Sequence, residues 1–452
     1  MESSTRIRPQ RGEQLDLQIS DLAFGGAGVA RLEGYVVFVQ GAIPGDRVLA
    51  EVTKSKKSFA EARATEVIEA GPDRVDPAAA HPGAPWQVLR YERQLEVKQA
   101  QVDEALRRLG GLDGFELEPI VEAEQHWRYR NKLEYSFGTD DEGTLVCGFH
   151  APGRWDRIVG MDDCLLSSKR GNEVRNRIAA WCRAEGLSAY DRRAGDGFLR
   201  NLVVREGRRT GQVQARLVTG TGEFRVDQLA AAAGADSFHW TRTEQLGETT
   251  QGGETEIVDG SAYLEEELGG LRFRISPEAF FQTNTEMAER LYGIAGEYAA
   301  LAGRERLYDL FCGIGTVGLT LAPRAAQLFG LEIVPEAVAD AIENAHLNEV
   351  EHAQFFAGDV RLALRELVEK AGKPDVLVVD PPRAGLSKKV VRRIVEASPR
   401  RIVYISCNPT TLAPNAAQLT DAGYELRRVR PVDMFPQTPH IECVALLERA
   451  AT

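Results

Sequence analysis

Near the end of the chain an apolar run climbs into a thiol: "RIVYISCNPTTL", residues 401–412, places Cys407 where a strand should stop, before a proline that blocks its simple continuation. Such a cysteine can be a small packed hydrophobe, or it can be a nucleophile facing a cleft. Upstream, "DLFCGIGTVG" sets Gly313, Gly315 and Gly318 in a G-x-G-x-x-G spacing between a strand and a helix. Small residues there let backbone amides approach a cofactor closely, in dinucleotide and S-adenosylmethionine sites alike. Glu332, Asp359 and Asp380 close the next three predicted strands. A carboxylate at Glu332 can accept both hydroxyls of a ribose, and Asp359 lies within reach of an adenine edge. Each acid could instead cap its turn. A buried carboxylate without partners is costly, so three at successive strand ends favour an adenosine-type cofactor.

A strand-end thiol beside such a site suits methyl transfer to carbon. C5 of uracil is too weak a nucleophile to take a methyl group unaided. A thiolate adding to C6 turns the ring into an enolate with charge at C5, and a base must then remove the C5 proton so that the thiol can leave. The chemistry needs a cysteine, a base and an S-adenosylmethionine pocket around one extruded base.

The elements that must position these residues follow from the pattern. From about residue 277 helices alternate with apolar strands, the signature of a mostly parallel, doubly wound, Rossmann-like sheet whose ligands bind at the carboxyl ends of the strands. Residues 120–275 mix strands with a helix around "GNEVRNRIAAWCRAE" and read as an α+β unit. Residues 12–70 read as short strands broken by "GGAG" and "GAIPGD", as in a small OB-like β-barrel. Between these units, 71–85 is a Pro/Ala/Gly-rich loop, and "YERQLEVKQAQVDEALRRL" predicts a helix over 91–109 stopped by Gly110 and Gly111. The expectation is a multidomain α/β protein: barrel at 1–70, middle domain at 71–275 with helix 91–109 packed on the catalytic domain, and catalytic domain at 276–452. In the middle unit "HWRYRNK" interleaves Trp127 and Tyr129 with Arg128, Arg130 and Lys132. That mixture suits bases and phosphates; a solvated strand face explains it equally.

A chain of 452 residues implies two or three domains. Its net charge of −12 runs against a nucleic-acid partner on average, although a local basic face is enough to hold phosphates. No apolar run approaches the roughly 20 residues that span a bilayer, and "MESSTRIRPQRGEQ" has no apolar signal core, so a cytoplasmic location is expected. Six scattered cysteines without a CxxC pair imply reduced thiols and no disulfide framework.

With "FFQTN", "LYDLFCGIGTVGL", "DPPRAGL", "SCNPTTLAPN" and "MFPQTPHIECVALL" in order, residues 12–450 resemble the RNA 5-methyluridine methyltransferases, in particular the ribosomal-RNA members that begin with a TRAM domain. The resemblance implies S-adenosylmethionine-dependent methylation of C5 of a uridine in 23S ribosomal RNA through a cysteine–C6 adduct, with RNA as partner and no obligate protein partner. By position Cys407 corresponds to the nucleophile and Glu442 to the base. Gln282, Phe311, Glu332 and Asp380 fall on cofactor positions, as do Asp359 and Thr316, although the ribosomal-RNA members commonly have asparagine where Thr316 stands. The barrel corresponds to TRAM, an RNA-binding module. One departure concerns a four-iron cluster that many relatives hold with four cysteines. Here His81 and Ala84 stand at two of those positions and Val75 near a third, leaving only Cys164; one thiol cannot hold a cluster, so no iron–sulfur cluster and no metal are expected. Three rivals remain: the same reaction on a transfer-RNA uridine, a non-catalytic RNA-binding or chaperone protein, and an amino-group methyltransferase suggested by D-P-P. Against the last, Arg383 replaces the aromatic residue that usually follows the prolines.

Overall fold

The computed structural model describes residues 8–450 apart from 246 and 248. The first six strands form one sheet, Gln14–Gln18, Arg47–Ser55, Phe59–Glu69, Tyr35–Gln40, Gly28–Leu32 and Asp21–Leu22 in spatial order. Alternation in the sequence sends Leu15, Leu17, Val37, Val39, Val48, Ala50 and Val52 to one face, where they make a closed apolar core. The sheet curls far enough for Gln14–Gln18 to lie against Gly28–Leu32.

The middle unit is a seven-stranded, largely antiparallel sheet over Lys132–Thr139, Leu145–Ala151, Arg154–Gly160, Leu199–Glu206, Val213–Thr219, Ser237–Arg242 and Glu254–Asp259. Helices Lys169–Ala184 and Val226–Ala233 cover it. Ser168 caps the first by accepting the Gly171 amide at 2.9 Å, and Gly234 ends the second in the left-handed conformation.

The C-terminal sheet has eight strands. Ala353–Ala357, Gln327–Glu332, Arg306–Leu310, Val376–Val379 and Arg401–Ser406 run parallel, then Glu442–Arg449 and Tyr424–Val432 pair antiparallel. The eighth strand is Glu116–Leu117, parallel to Tyr424–Val432. Helices flank both faces, and two apolar cores lie on either side.

Two stretches of the expected middle unit share these C-terminal cores. The helix expected at 91–109 is α-helical over Tyr91–Glu104 and widens into a π-turn over Ala105–Leu109. Val102, Ala105 and Leu106 pack with Tyr404, Leu412 and Cys443. The hairpin Leu264–Leu268 and Leu271–Ile275 packs its inward Leu264, Leu268, Phe273 and Ile275 on helix Thr285–Ala299. Their apolar stripes are too small to bury alone and find cover on the larger sheet. Among the described residues no helix is long and apolar enough to cross a membrane.

Candidate active site

Strand Arg401–Ser406 gives way to helix Pro409–Asp421 within two residues. The proline that stops the strand is the first residue of this helix, a position that needs no amide donor. Asn408 caps it by accepting the Thr410 amide at 3.0 Å. Cys407 is held in this strand-to-helix turn, partly exposed at the carboxyl edge of the sheet. The neighbouring strand starts at Glu442 and pairs Val444 with Ile405 and Cys443 with Ser406. One more step of that register sets Glu442 across from Cys407. Glu442 is only 4% exposed.

Burial pushes the Cys407 thiol up to about 11; Glu442 and Asp380 add to the rise, and the Arg383 guanidinium opposes it. Burial, then the Asp380 charge, raises the Glu442 carboxyl well above the usual range, again against Arg383. A thiol, two acids and one arginine thus sense one another at the ends of three adjacent strands. A carboxylate with raised proton affinity suits removal of a proton from carbon.

The cofactor candidates line the same edge. Phe311 leaves its strand with φ +61, a left-handed conformation unusual outside glycine. At Gly313, φ +53, a Cβ would point into open space, so its backbone is approachable. Gly315, φ +85, opens helix Thr316–Leu321, and a Cβ there would press on Leu319 and Phe355. Gly318 lets the helix approach the strand: its amide donates to Asp309 Oδ2 at 2.8 Å. Thr316 Oγ1 lies 3.2 Å from the buried Tyr292 hydroxyl. Glu332 accepts the Gly313 amide at 3.2 Å through Oε2 and the Ile333 and Val334 amides through Oε1, tying the glycine loop to the second strand end. Asp359 stands beyond the end of its strand, capping helix Val360–Ala371 and paired with Arg361. The Gly358 amide next to it donates to the Glu332 carbonyl at 2.7 Å. Gln282, 6% exposed, precedes helix Thr285–Ala299, and its carbonyl accepts the Asn131 side chain at 2.8 Å.

Asp380 differs from the other acids. Burial alone pushes its carboxyl up to about 7, and among the described residues none donates a hydrogen bond to it. A half-buried carboxylate that accepts no hydrogen bond favours a cationic ligand, and S-adenosylmethionine carries a sulfonium and an ammonium group. The edge fits that cofactor: an approachable backbone at Gly313, an oriented carboxylate at Glu332 and an acid that accepts no hydrogen bond at Asp380.

The segment 126–132 lies between units. Arg128 is committed to Asp163 at 2.6 Å and Lys132 to Glu134 at 2.7 Å. Arg130 lies over the rings of Phe435 and Tyr129, 5.2 and 5.9 Å from their centroids. Buried Tyr129 donates to the Pro436 carbonyl at 3.0 Å. In the loop before helix Tyr91–Glu104, His81 Nε2 lies 3.2 Å from Cys164 Sγ, both buried, and burial takes the imidazole down to about 4. Among the described residues no group of three or more His, Cys, Asp or Glu could hold a metal. Two participants had no role in the sequence reading beyond their motif. Arg383 is the cation acting on Cys407, Glu442 and His440. Asp309 is a buried acid at about 8 behind the glycine loop. "DPPRAGL" and "LYDLF" were their only signals.

A Rossmann-like sheet with this edge defines an S-adenosylmethionine-dependent methyltransferase. Residues 254–450 match the tRNA (uracil-5-)-methyltransferase family and residues 8–65 the TRAM domain. An RNA methyltransferase of Halalkalibacterium halodurans is 37% identical over 450 residues, covering 97% of each chain. One of Caldanaerobacter subterraneus is 38% identical, covering 97% of this chain and 100% of its own. The solved Pyrococcus abyssi tRNA (uracil-54, C5)-methyltransferase in complex with S-adenosyl-L-homocysteine is 30% identical, with a TM-score of 0.79 over 96% of this chain and 100% of that one. The chain belongs to the tRNA (uracil-5-)-methyltransferase family and carries a TRAM domain; it is an S-adenosylmethionine-dependent RNA (uracil-C5)-methyltransferase.

Proposed function

We propose that this enzyme methylates C5 of a uridine in 23S ribosomal RNA through a covalent adduct between Cys407 and C6. The covalent route is supported by the pairing of Ser406 with Cys443, the residues adjoining Cys407 and buried Glu442, and by the electrostatic influence of Glu442 on the Cys407 thiol. Cys407 Sγ, as the thiolate left once its proton has passed to solvent, adds to C6 and pushes the ring electrons toward C5 and O4. S-adenosylmethionine, when bound, supplies an electrophilic methyl group at C5. Glu442 then takes the C5 proton, the electron pair re-forms the C5–C6 double bond, and Sγ leaves as thiolate. Arg383 opposes the rise at both Cys407 and Glu442 and so favours the thiolate and the carboxylate that the reaction needs. Gln282, Phe311, Gly313, Gly315, Thr316, Glu332, Asp359 and Asp380 form the cofactor side, and Arg130 is the cation of "YRNK" left for RNA, since Arg128 and Lys132 are paired within the chain. The barrel and middle unit contribute RNA binding, residues 91–109 and 264–275 join the catalytic domain, and the cytoplasm is the compartment.

The ribosomal target rests on the resemblance to TRAM-bearing ribosomal-RNA enzymes. A transfer-RNA uridine is the second reading, favoured by the full-length likeness to the Pyrococcus abyssi enzyme, which is named for uracil-54 of tRNA. Incubating the enzyme and methyl-labelled cofactor with unmodified 23S and tRNA transcripts decides between them. Label in 5-methyluridine of 23S RNA supports the first reading; label confined to tRNA replaces it with the second.

A further inference from the structure

The loop Asp433–Ile441 delivers Glu442 to the site, and it is held from outside the C-terminal sequence. Lys98, fully buried, reaches Asp433 Oδ1 at 2.6 Å and the Phe435 carbonyl at 3.1 Å. The Tyr91 hydroxyl donates to Asp433 Oδ2 at 2.9 Å. Gln94 and Gln437 exchange two hydrogen bonds, at 2.8 and 2.9 Å. Asn284 donates to the Met434 carbonyl at 2.9 Å. Trp86, 1% exposed, donates its backbone amide to the Gln437 carbonyl at 2.9 Å.

Trp86 also touches the barrel. It shares an apolar cluster with Leu22 and Ile43 of the barrel and with Leu89 and Val97. The Gln101 side chain donates to the Leu22 carbonyl at 3.1 Å. The tight turn Ala23–Ala27 then brings Gly26 onto both Trp86 and the base-bearing loop. A Cβ built at Gly26 would sit 2.9 Å from Trp86 Nε1 and 3.0 Å from Pro439 Cβ and Cγ. Gly25, one residue earlier, has φ +93 against +94 for Gly26, yet nothing lies within 4 Å of its position. One glycine of the pair serves the turn; the other serves the turn and a contact three residues from Glu442.

We propose that the N-terminal barrel is a positioning element for catalysis: its Gly26 turn, seated on Trp86 and Pro439, sets the Asp433–Ile441 loop and thereby the place of Glu442. The barrel therefore does more than add RNA affinity. RNA that shifts the barrel shifts the seat of the base, so substrate engagement and proton removal are coupled through Trp86. This rests on Glu442 being the base.

The neighbouring glycines make the test. Full-length Gly26→Ala and Gly25→Ala carry the same backbone strain, but only the first displaces Trp86 and Pro439. On unmodified RNA, kcat, KM and the fraction of enzyme in a denaturation-resistant RNA adduct are measured for both, with cofactor affinity, beside Glu442→Gln. Gly26→Ala is expected to turn over about 10- to 100-fold more slowly than Gly25→Ala, the scale of a misplacement of roughly 1 Å. It should accumulate adduct in part as Glu442→Gln does, with KM for RNA and cofactor affinity matching Gly25→Ala. Equal kcat and equal adduct in the two glycine variants, with adduct still accumulating in Glu442→Gln, overturns the positioning role and leaves the base in place. No adduct in Glu442→Gln overturns both. Should Gly26→Ala not fold, Trp86→Phe, which deletes the indole N–H beside the Gly26 carbonyl, is expected to raise the adduct fraction; an unchanged fraction counts against the proposal.

Discussion

The two sides of the active site are assembled over very different stretches of chain. On the cofactor side the decisive contacts are local. Gly313 meets Glu332 at 19 residues' separation, Gly318 meets Asp309 at nine, and Asp359 meets Arg361 at two. On the side of the base, Asp433 meets Lys98 at 335 residues, Gln437 meets Gln94 at 343, and Pro436 meets Tyr129 at 307. A βαβ unit can form the first set by itself. The second exists only when the helix Tyr91–Glu104, the middle unit and the last strands have all come together. Cofactor binding should therefore tolerate damage that disables proton removal.

The sharpest separation comes from the nucleophile. Cys407→Ala is expected to abolish turnover and covalent RNA adduct while cofactor affinity is retained, read by activity assay, denaturing gel and calorimetry; a persisting adduct would move the nucleophile elsewhere. Next is Lys98→Met, which leaves Asp433 buried without its cation. Breaking a buried pair from one side costs about 3–5 kcal/mol, so the unfolding midpoint should drop and the adduct should turn over slowly. A thermal melt unchanged from wild type would show that this seat is not stabilising the fold.

Asp380→Asn attacks the other side. Losing a charged partner of a cationic ligand costs about 1.5–3 kcal/mol, so S-adenosylmethionine affinity should fall about 10- to 100-fold at unchanged melting temperature without ligand. A gentler probe is pH. With the thiol near 11, most Cys407 is protonated at neutral pH and the thiolate fraction grows with alkalinity. Iodoacetamide labelling of Cys407 in the free enzyme, followed by mass spectrometry, should accelerate about tenfold per pH unit between about pH 7 and 9. A flat profile would mean an already ionised thiol. The smallest effect is expected at Gly318→Ala, whose Cβ would meet Asp309 Oδ2 at 2.7 Å. Overpacking of this kind costs about 1–3 kcal/mol, visible in the melt, with Cys407 labelling unaffected.

The same contrast decides what could be read from the sequence. The glycine loop and the strand-end acids obey short-range rules of turn and strand, so "DLFCGIGTVG", Glu332 and Asp380 stood out. Cys407 was legible because a polar turn interrupts an apolar strand. Its partner was not: nothing near Glu442 signals a base, and only the family resemblance pointed to it, because the pairing of Ser406 with Cys443 is a tertiary register. Helix 91–109 was expected to pack on the catalytic domain, but nothing singled out Lys98 and Gln94 as its buried polar residues, because their partners lie more than 300 residues away. Asp359 was read as reaching an adenine edge or as capping its turn, and its carboxylate caps helix Val360–Ala371 and pairs with Arg361. "HWRYRNK" suited bases and phosphates and a solvated strand face equally; Lys132 pairs with Glu134, two residues on along its strand, and Arg128 with Asp163, 35 residues away and beyond any local spacing rule.

The central claim, that Cys407 and Glu442 divide the reaction between addition and proton removal, meets its most direct test in Glu442→Gln. Incubated with cofactor and unmodified RNA, this variant should accumulate an RNA–protein adduct that survives denaturing electrophoresis and carries the transferred methyl group, and the adduct should vanish when Cys407→Ala is added. Normal turnover by Glu442→Gln, with no adduct, would contradict it.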